Sequence, residues 1–116
     1  MAAETIFSKI VAGEIPADIV ADTERVLAFR DIAPQAPIHI IIIPKTGEYV
    51  NVTELAAGDP GLLAEMVAVA NRVAGELGES DFRLLFNNGA GAGQTVFHVH
   101  AHLLAGGLEE STLVGR

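Results

Sequence analysis

The sequence contains no cysteine, few basic residues and no long uncharged apolar run. The first absence removes disulfides, thiolate metal sites and cysteine nucleophiles together. Seven Lys and Arg against fifteen Asp and Glu leave a formal charge of −8 at pH 7, which gives no electrostatic footprint for a nucleic-acid backbone or an anionic membrane. A small nucleotide held by local contacts is still open to such a chain. No apolar stretch approaches the ~20 residues that span a bilayer. The first residues, Met-Ala-Ala-Glu-Thr-Ile-Phe-Ser-Lys, lack the basic region and apolar core of a signal peptide. The expectation is a soluble, cytoplasmic protein without nucleic-acid or membrane partners. With 116 residues, half of them hydrophobic, there is room for one ordinary core, and residues 1–116 are read as a single domain.

Local patterns divide the chain into short elements. Thr5 is placed to cap a helix carrying Ile6, Phe7, Ile10 and Val11 on one side, with Gly13 as terminator. Residues 18–22 and 25–30 are predicted to form two short strands joined by a polar turn. The two prolines of Asp31-Ile-Ala-Pro-Gln-Ala-Pro37 exclude an interior strand and imply an ordered loop. The β-branched run Ile38-His-Ile-Ile-Ile-Ile-Pro44 predicts a central strand buried on both faces, with His39 on the side of Ile41 and Ile43. Thr53 marks at most a brief helical turn. Asp59 as N-cap and Pro60 at the first helical position then start a long helix whose apolar residues run from Leu62 to Leu77, with Gly78 to stop it. Residues 82–87 are a further strand, and Asn88 to Gln94 a glycine-rich turn. About five strands with one long and one short helix, in this order, predict an α+β fold with an antiparallel sheet.

All four histidines are His39 and the three of Gln94-Thr-Val-Phe-His-Val-His-Ala-His-Leu-Leu104. On a strand, alternation puts His98, His100 and His102 on one face and Phe97, Val99, Ala101 and Leu103 on the other. A solvated strand face with no special role is a poor account of three imidazoles within five residues. For a metal site, a rise of about 3.3 Å per residue separates the outer two Cα atoms by ~13 Å, too far for one straight strand to bring all three to one ion. Two of them with His39 could still do so, but no carboxylate is evidently clustered with them. In the remaining reading the central histidine is a nucleophile toward a phosphoryl centre. Its neighbours orient it, and backbone amides of the glycine-rich turn meet the negative oxygens.

His98-Val-His-Ala-His-Leu-Leu104 resembles the His-φ-His-φ-His-φ-φ signature of the histidine triad (HIT) superfamily, φ being apolar. Gly93-Gln-Thr-Val-Phe before it and Gly106-Gly107 after it are similar to the HINT branch, the purine nucleoside phosphoramidases. So are Thr5-Ile-Phe-Ser-Lys-Ile, Glu14-Ile-Pro-Ala, Leu27-Ala-Phe-Arg-Asp-Ile-Ala-Pro-Gln-Ala-Pro, and His39 ahead of Ile-Ile-Ile-Ile-Pro-Lys. The resemblance implies a sheet continued across a homodimer and a hydrolase for purine nucleotide conjugates of AMP or GMP, with no cofactor and no metal. Within the superfamily, a dinucleoside polyphosphate hydrolase or nucleotidylyltransferase is the alternative activity; outside it, a nucleotide-binding regulatory module with vestigial catalysis. By position, His100 would be the nucleophile, His102 would contact the phosphate, His98 would fix the tautomer of His100 through its carbonyl, and His39 would support the cluster. Asp31 would bind the ribose hydroxyls and Phe29 and Ile32 would lie by the base. Asn87, Gly93, Gln94 and Thr95 would surround the phosphate and leaving group. Two features depart from the pattern. The tail 108–116, Leu-Glu-Glu-Ser-Thr-Leu-Val-Gly-Arg, lacks the branch's tryptophan- and proline-containing ending, and position 92 is alanine where a glycine is frequent.

Overall fold

A computed structural model describes residues 4–110. Its centre is the strand β3 (Ile38–Pro44), in which every residue after Ile38 is buried. Around it, β1 (Ile19–Asp22), β2 (Val26–Arg30), β4 (Arg83–Leu85) and β5 (Ala101–Ala105) form a five-stranded antiparallel sheet in the order β1-β2-β3-β5-β4. The fold is α+β, as the sequence predicts, and β3 holds the middle position its β-branched run calls for.

The two faces of the sheet are covered by different helices. Ile40 and Ile42 of β3 join Ala28, Leu103 and the α3 (Pro60–Glu76) residues Leu62, Met66, Val69 and Val73 in the larger core. His39, Ile41 and Ile43 face the opposite way, where Leu27, Phe29, Ile41 and Ile43 pack with Ile10, Phe7 and Val11 of α1 (Ile6–Val11). Period-two alternation thus sorts one buried strand between two cores. The face that carries the histidines is the one covered by the six-residue α1.

Helix starts are set by side-chain caps. Thr5 Oγ1 accepts from the Ser8 amide while Ser8 Oγ accepts from the Thr5 amide, a reciprocal capping box that holds α1. Asp59 Oδ1 accepts from the Leu62 amide at 3.0 Å, with Pro60 in the first turn of α3. Ahead of it lies a separate seven-residue helix, α2 (Val52–Gly58), which the sequence reading reduced to a brief turn at Thr53. Its start is Asn51, whose side chain accepts from the Glu54 amide. Asp59 thus ends α2 as well as starting α3.

Two stretches differ from their predicted extent. Of the expected strand 82–87 only Arg83–Leu85 pairs, against β5. The histidine stretch is a strand only from Ala101, so His98 and His100 precede the ladder. The physical reason lies in β3: the register that pairs Ile42 with Ala101 would place Pro44 opposite Val99, and proline has no N–H to donate. The Pro44 carbonyl is taken by the His98 ring at 2.7 Å, while the Val99 amide donates to Tyr49 instead. Phe97, expected on the core face, is 46 % exposed, whereas Val99, Ala101 and Leu103 are buried in the core.

Candidate active site

The four histidines converge. His102 in β5 lies opposite Ile41, next to His39, and their rings approach with Nε2 of His39 2.9 Å from Nδ1 of His102. The ring centroids of His100 and His102 are 5.1 Å apart, and Phe7 of α1 sets its ring edge-on to His100 at 4.9 Å and to His98 at 6.2 Å. All three residues of the triad therefore share the α1 side, even though only His102 is on a paired strand.

Hydrogen bonds to fixed backbone groups determine where each proton sits. His98 donates Nε2–H to the Pro44 carbonyl, a bond between β3 and the segment entering β5. His100 donates Nδ1–H to the His98 carbonyl at 2.9 Å. The neutral imidazole then keeps its lone pair on Nε2. At His39 the backbone N–H of Gln35 points at Nδ1 from 3.0 Å, so Nδ1 carries the lone pair and Nε2 the proton. That proton is donated to Nδ1 of His102, which leaves His102 with Nε2–H as its outward donor. His100 thus offers a lone pair and His102 a proton.

Electrostatics favour this neutral arrangement. Burial pushes His39, His98 and His100 below the ordinary imidazole value, with Asp31 raising His39 and His100 by a smaller amount. His102 is pushed down to about 4, by burial first and by the neighbouring His100 and His39 next.

The cluster opens on a cleft of ≈ 430 Å³. His100, His102, Thr95, Val96 and Arg30 line it together with the apolar side chains of Phe7, Ile10, Ile15, Pro16, Phe29 and Ile41. Asp31 and Ile32 lie at its rim, and Ile32 is 99 % exposed. Asp31 is held from behind, with Oδ1 accepting from the Ala33 amide at 2.7 Å and Oδ2 3.5 Å from Nε2 of His39. A mostly apolar cleft with a few convergent polar groups is the usual form of a small-molecule site.

Not every residue expected at the site lines this cleft. Asn87 and Gly93 do not; they sit beside each other, a Cβ on Gly93 falling 3.9 Å from the Asn87 side-chain nitrogen. Gln94 is a correction, because its side chain turns into the protein and binds the backbone at Gly89, Val50 and Val96. Gly93 has φ +95°, a conformation strained for any residue with a Cβ. Ala92 keeps a negative φ, since no non-glycine residue among those described has a positive one, so alanine fits there. The tail that departs from the family pattern lies outside the described residues from position 111 onward.

The sequence reading also missed contributors. The sequence reading places Phe7 on a helix stripe alone, within a stretch that resembles the HINT pattern. The Gln35 amide and the Pro44 carbonyl carry no side-chain signal, since backbone groups do the work. Nor does the sequence reading set a carboxylate beside the imidazoles, since it gives Asp31 to the ribose. Asp31, His39 and His102 bring ligand-type atoms within 4.8 Å of one another, a spacing a metal ion could bridge. The tautomer argues otherwise, because His39 can ligate through Nε2 only by giving up the proton that the Gln35 N–H keeps there. As arranged, His39 and His102 share a hydrogen bond, and the Asp31 carboxylate stands 3.5 Å from the same His39 nitrogen.

The fold and the site together define an α+β domain that presents a neutral imidazole cluster, one lone pair and one donor outward, on a mostly apolar cleft. A family model for the HIT domain matches residues 12–107. Among curated relatives, an uncharacterized HIT-like protein of Synechocystis sp. is 49 % identical, over 91 % of this chain and 93 % of its own. The purine nucleoside phosphoramidase of Escherichia coli is 47 % identical, over 91 % and 90 %. Of solved structures, a HIT family hydrolase from Clostridium thermocellum superimposes with a TM-score of 0.86 at 43 % identity, covering 95 % of this chain and 96 % of that one. One from Legionella pneumophila gives 0.85 at 43 %, covering 90 % and 95 %. The chain belongs to the histidine triad (HIT) family, among its hydrolases.

Proposed function

We propose that the protein is a purine nucleoside phosphoramidase that cleaves the P–N bond of nucleoside 5′-phosphoramidates through a nucleotidyl-histidine intermediate. The observation that carries this reading is the hydrogen bond from His100 Nδ1–H to the His98 carbonyl, which leaves the Nε2 lone pair facing the cleft. The E. coli relative named for this activity supports it.

In the first step Nε2 of His100 attacks phosphorus, His102 Nε2–H donates a hydrogen bond to a phosphoryl oxygen, and the P–N bond breaks as the leaving nitrogen takes a proton from water. The hydrogen bond from His39 holds His102 in that tautomer. In the second step the hydroxide left by that water attacks phosphorus, the P–Nε2 bond breaks with its electron pair returning to His100, and the nucleoside monophosphate leaves. The base lies against Phe29 and Ile32, Asp31 accepts from the ribose hydroxyls, and Thr95 faces the phosphate, with Asn87 and Gly93 supporting it. The His98 carbonyl prevents His100 from presenting N–H to the electrophile. No metal or cofactor takes part in these steps. The chain acts as a homodimer in one domain per subunit, through the sheet edge at β4, whose backbone has no second strand neighbour among the described residues.

The test is hydrolysis of adenosine 5′-phosphoramidate, followed by release of AMP and ammonia, with sedimentation of the same preparation. Wild type turns over with chelator present and sediments as a dimer, while His100→Ala loses roughly 10³-fold or more of kcat/KM. Equal rates in wild type and variant would overturn the assignment.

A further inference from the structure

One buried side chain, that of Gln94, ties the far end of the glycine-rich turn back to its start, where Asn88 accepts from Thr53. Gln94 is 3 % exposed, although glutamine ordinarily lies at the surface. Its Oε1 accepts from the Gly89 amide at 2.8 Å, and its own backbone N–H donates to the Gly89 carbonyl at 3.1 Å. One residue therefore holds both polar groups of Gly89 and closes the turn. Its Nε2 donates to the Val96 carbonyl at 3.0 Å and to the Val50 carbonyl, so both amide hydrogens are used. The segment it reaches is itself fixed, because Tyr49 accepts from the Val99 amide and Asn51 caps α2. Thr95 and Val96, the residues between these anchors, form the cleft wall beside His100 and His102.

We propose that Gln94 is a positioning residue for the phosphate end of the cleft. Without touching substrate, its amide sets where Thr95, Val96 and the Gly89–Gly93 turn stand relative to His100. The proposal rests on the nucleotide reading given above. A chain containing Gly89, Gly91 and Gly93 has many conformations to lose. Holding it in place before a ligand arrives removes that ordering from the binding step. The rest of the cleft lining comes from other elements, α1 with Phe7 and Ile10, β2 with Phe29, and the loop with Asp31, none of which Gln94 bonds to. Damage at position 94 therefore acts on the phosphate and spares the nucleoside.

The experiment compares AMP and adenosine binding by calorimetry in wild type, Gln94→Glu and Gln94→Met. The glutamate cannot donate to Val50 and Val96, and the methionine has similar length without these bonds. Wild type is expected to prefer AMP to adenosine. Either variant should lose roughly tenfold or more of that preference while its adenosine affinity stays within about twofold. Parallel loss of both affinities, an unchanged preference, or a wild type without one overturns the proposal. A readout that needs no variant is proton exchange in wild type. The Gly89 amide and both Gln94 side-chain protons should exchange slowly, and fast exchange also overturns it. None of these measurements depends on turnover, so a wild type inert toward phosphoramidates would remove the proposed reaction and leave Gln94 to be judged on its own result.

Discussion

At the scale of single residues, the site works by fixing protons. Three of the imidazoles have one nitrogen tied to a partner that cannot change role, a carbonyl for His98 and His100 and a backbone N–H for His39, and His102 takes its tautomer from His39. His98 is the extreme, 1 % exposed with Nδ1 left without a hydrogen bond. An unsatisfied nitrogen of this kind costs about 1–3 kcal/mol, and protonating it would add a buried charge. Burial lowers His100, so its lone pair remains available below the pH at which free imidazole protonates. The acid limb of kcat/KM for phosphoramidate hydrolysis should accordingly lie below about 6.5. A limb at or above that value contradicts the neutral cluster, and stopped-time assays between pH 4.5 and 8 decide it.

At the scale of elements, caps and register bring distant parts of the sequence to one cleft. The capping box at Thr5 holds the helix that places Phe7, and the loop through Pro34 and Pro37 carries Asp31 back to His39, where the Asp31 amide donates to the His39 carbonyl. The end of β5 needs glycine, since a Cβ on Gly106 would lie 2.7 Å from the Cβ of Pro37. Asp59 joins the other side, capping α3 and pairing with Arg25 at 2.9 Å. The pair is partly exposed and screened by solvent, so the cap outweighs it. Asp59→Ala should lower stability by about 1–2 kcal/mol in urea unfolding, and Asp59→Asn, which keeps the cap, by less than half as much. Equal losses would transfer the stabilisation to the ion pair.

The legible parts of this level were those written in side chains. Ile38–Pro44 announced a buried central strand, and Asp59-Pro60 with the apolar spacing after it announced α3. The triad's spacing pointed to the site. The start of the β5 ladder was not legible, because it depends on Pro44 standing across the sheet from Val99, a relation that exists only after pairing. The resemblance places Gln94 about the phosphate and leaving group; only the fold shows its amide occupied by Val50, more than forty residues earlier.

At the scale of the whole molecule, a sheet buried on both sides carries an ionisable cluster on one face. No helix among the described residues is long and apolar enough to cross a membrane. The four imidazoles have folded-state pKa values lowered by burial, His102 to about 4. Below about pH 6.5 the unfolded chain therefore binds protons that the native chain does not. Their contribution is fully present above that pH and is lost as pH falls toward the native values. Thermal unfolding should be flat from pH 8 to 7 and should drop by roughly 5 °C or more by pH 5. An unfolding temperature unchanged between pH 7 and 5 would show that the cluster accepts protons while folded.

The central claim is that His100 becomes covalently bound to the nucleotide. Rapid acid quench of wild type with an adenosine 5′-phosphoramidate, followed by intact mass and peptide mapping, tests it directly. The account predicts a transient adduct of one AMP per chain, located on His100 and missing in His100→Ala. Steady release of AMP with no adduct at any quench time, or an adduct on another residue, would contradict it.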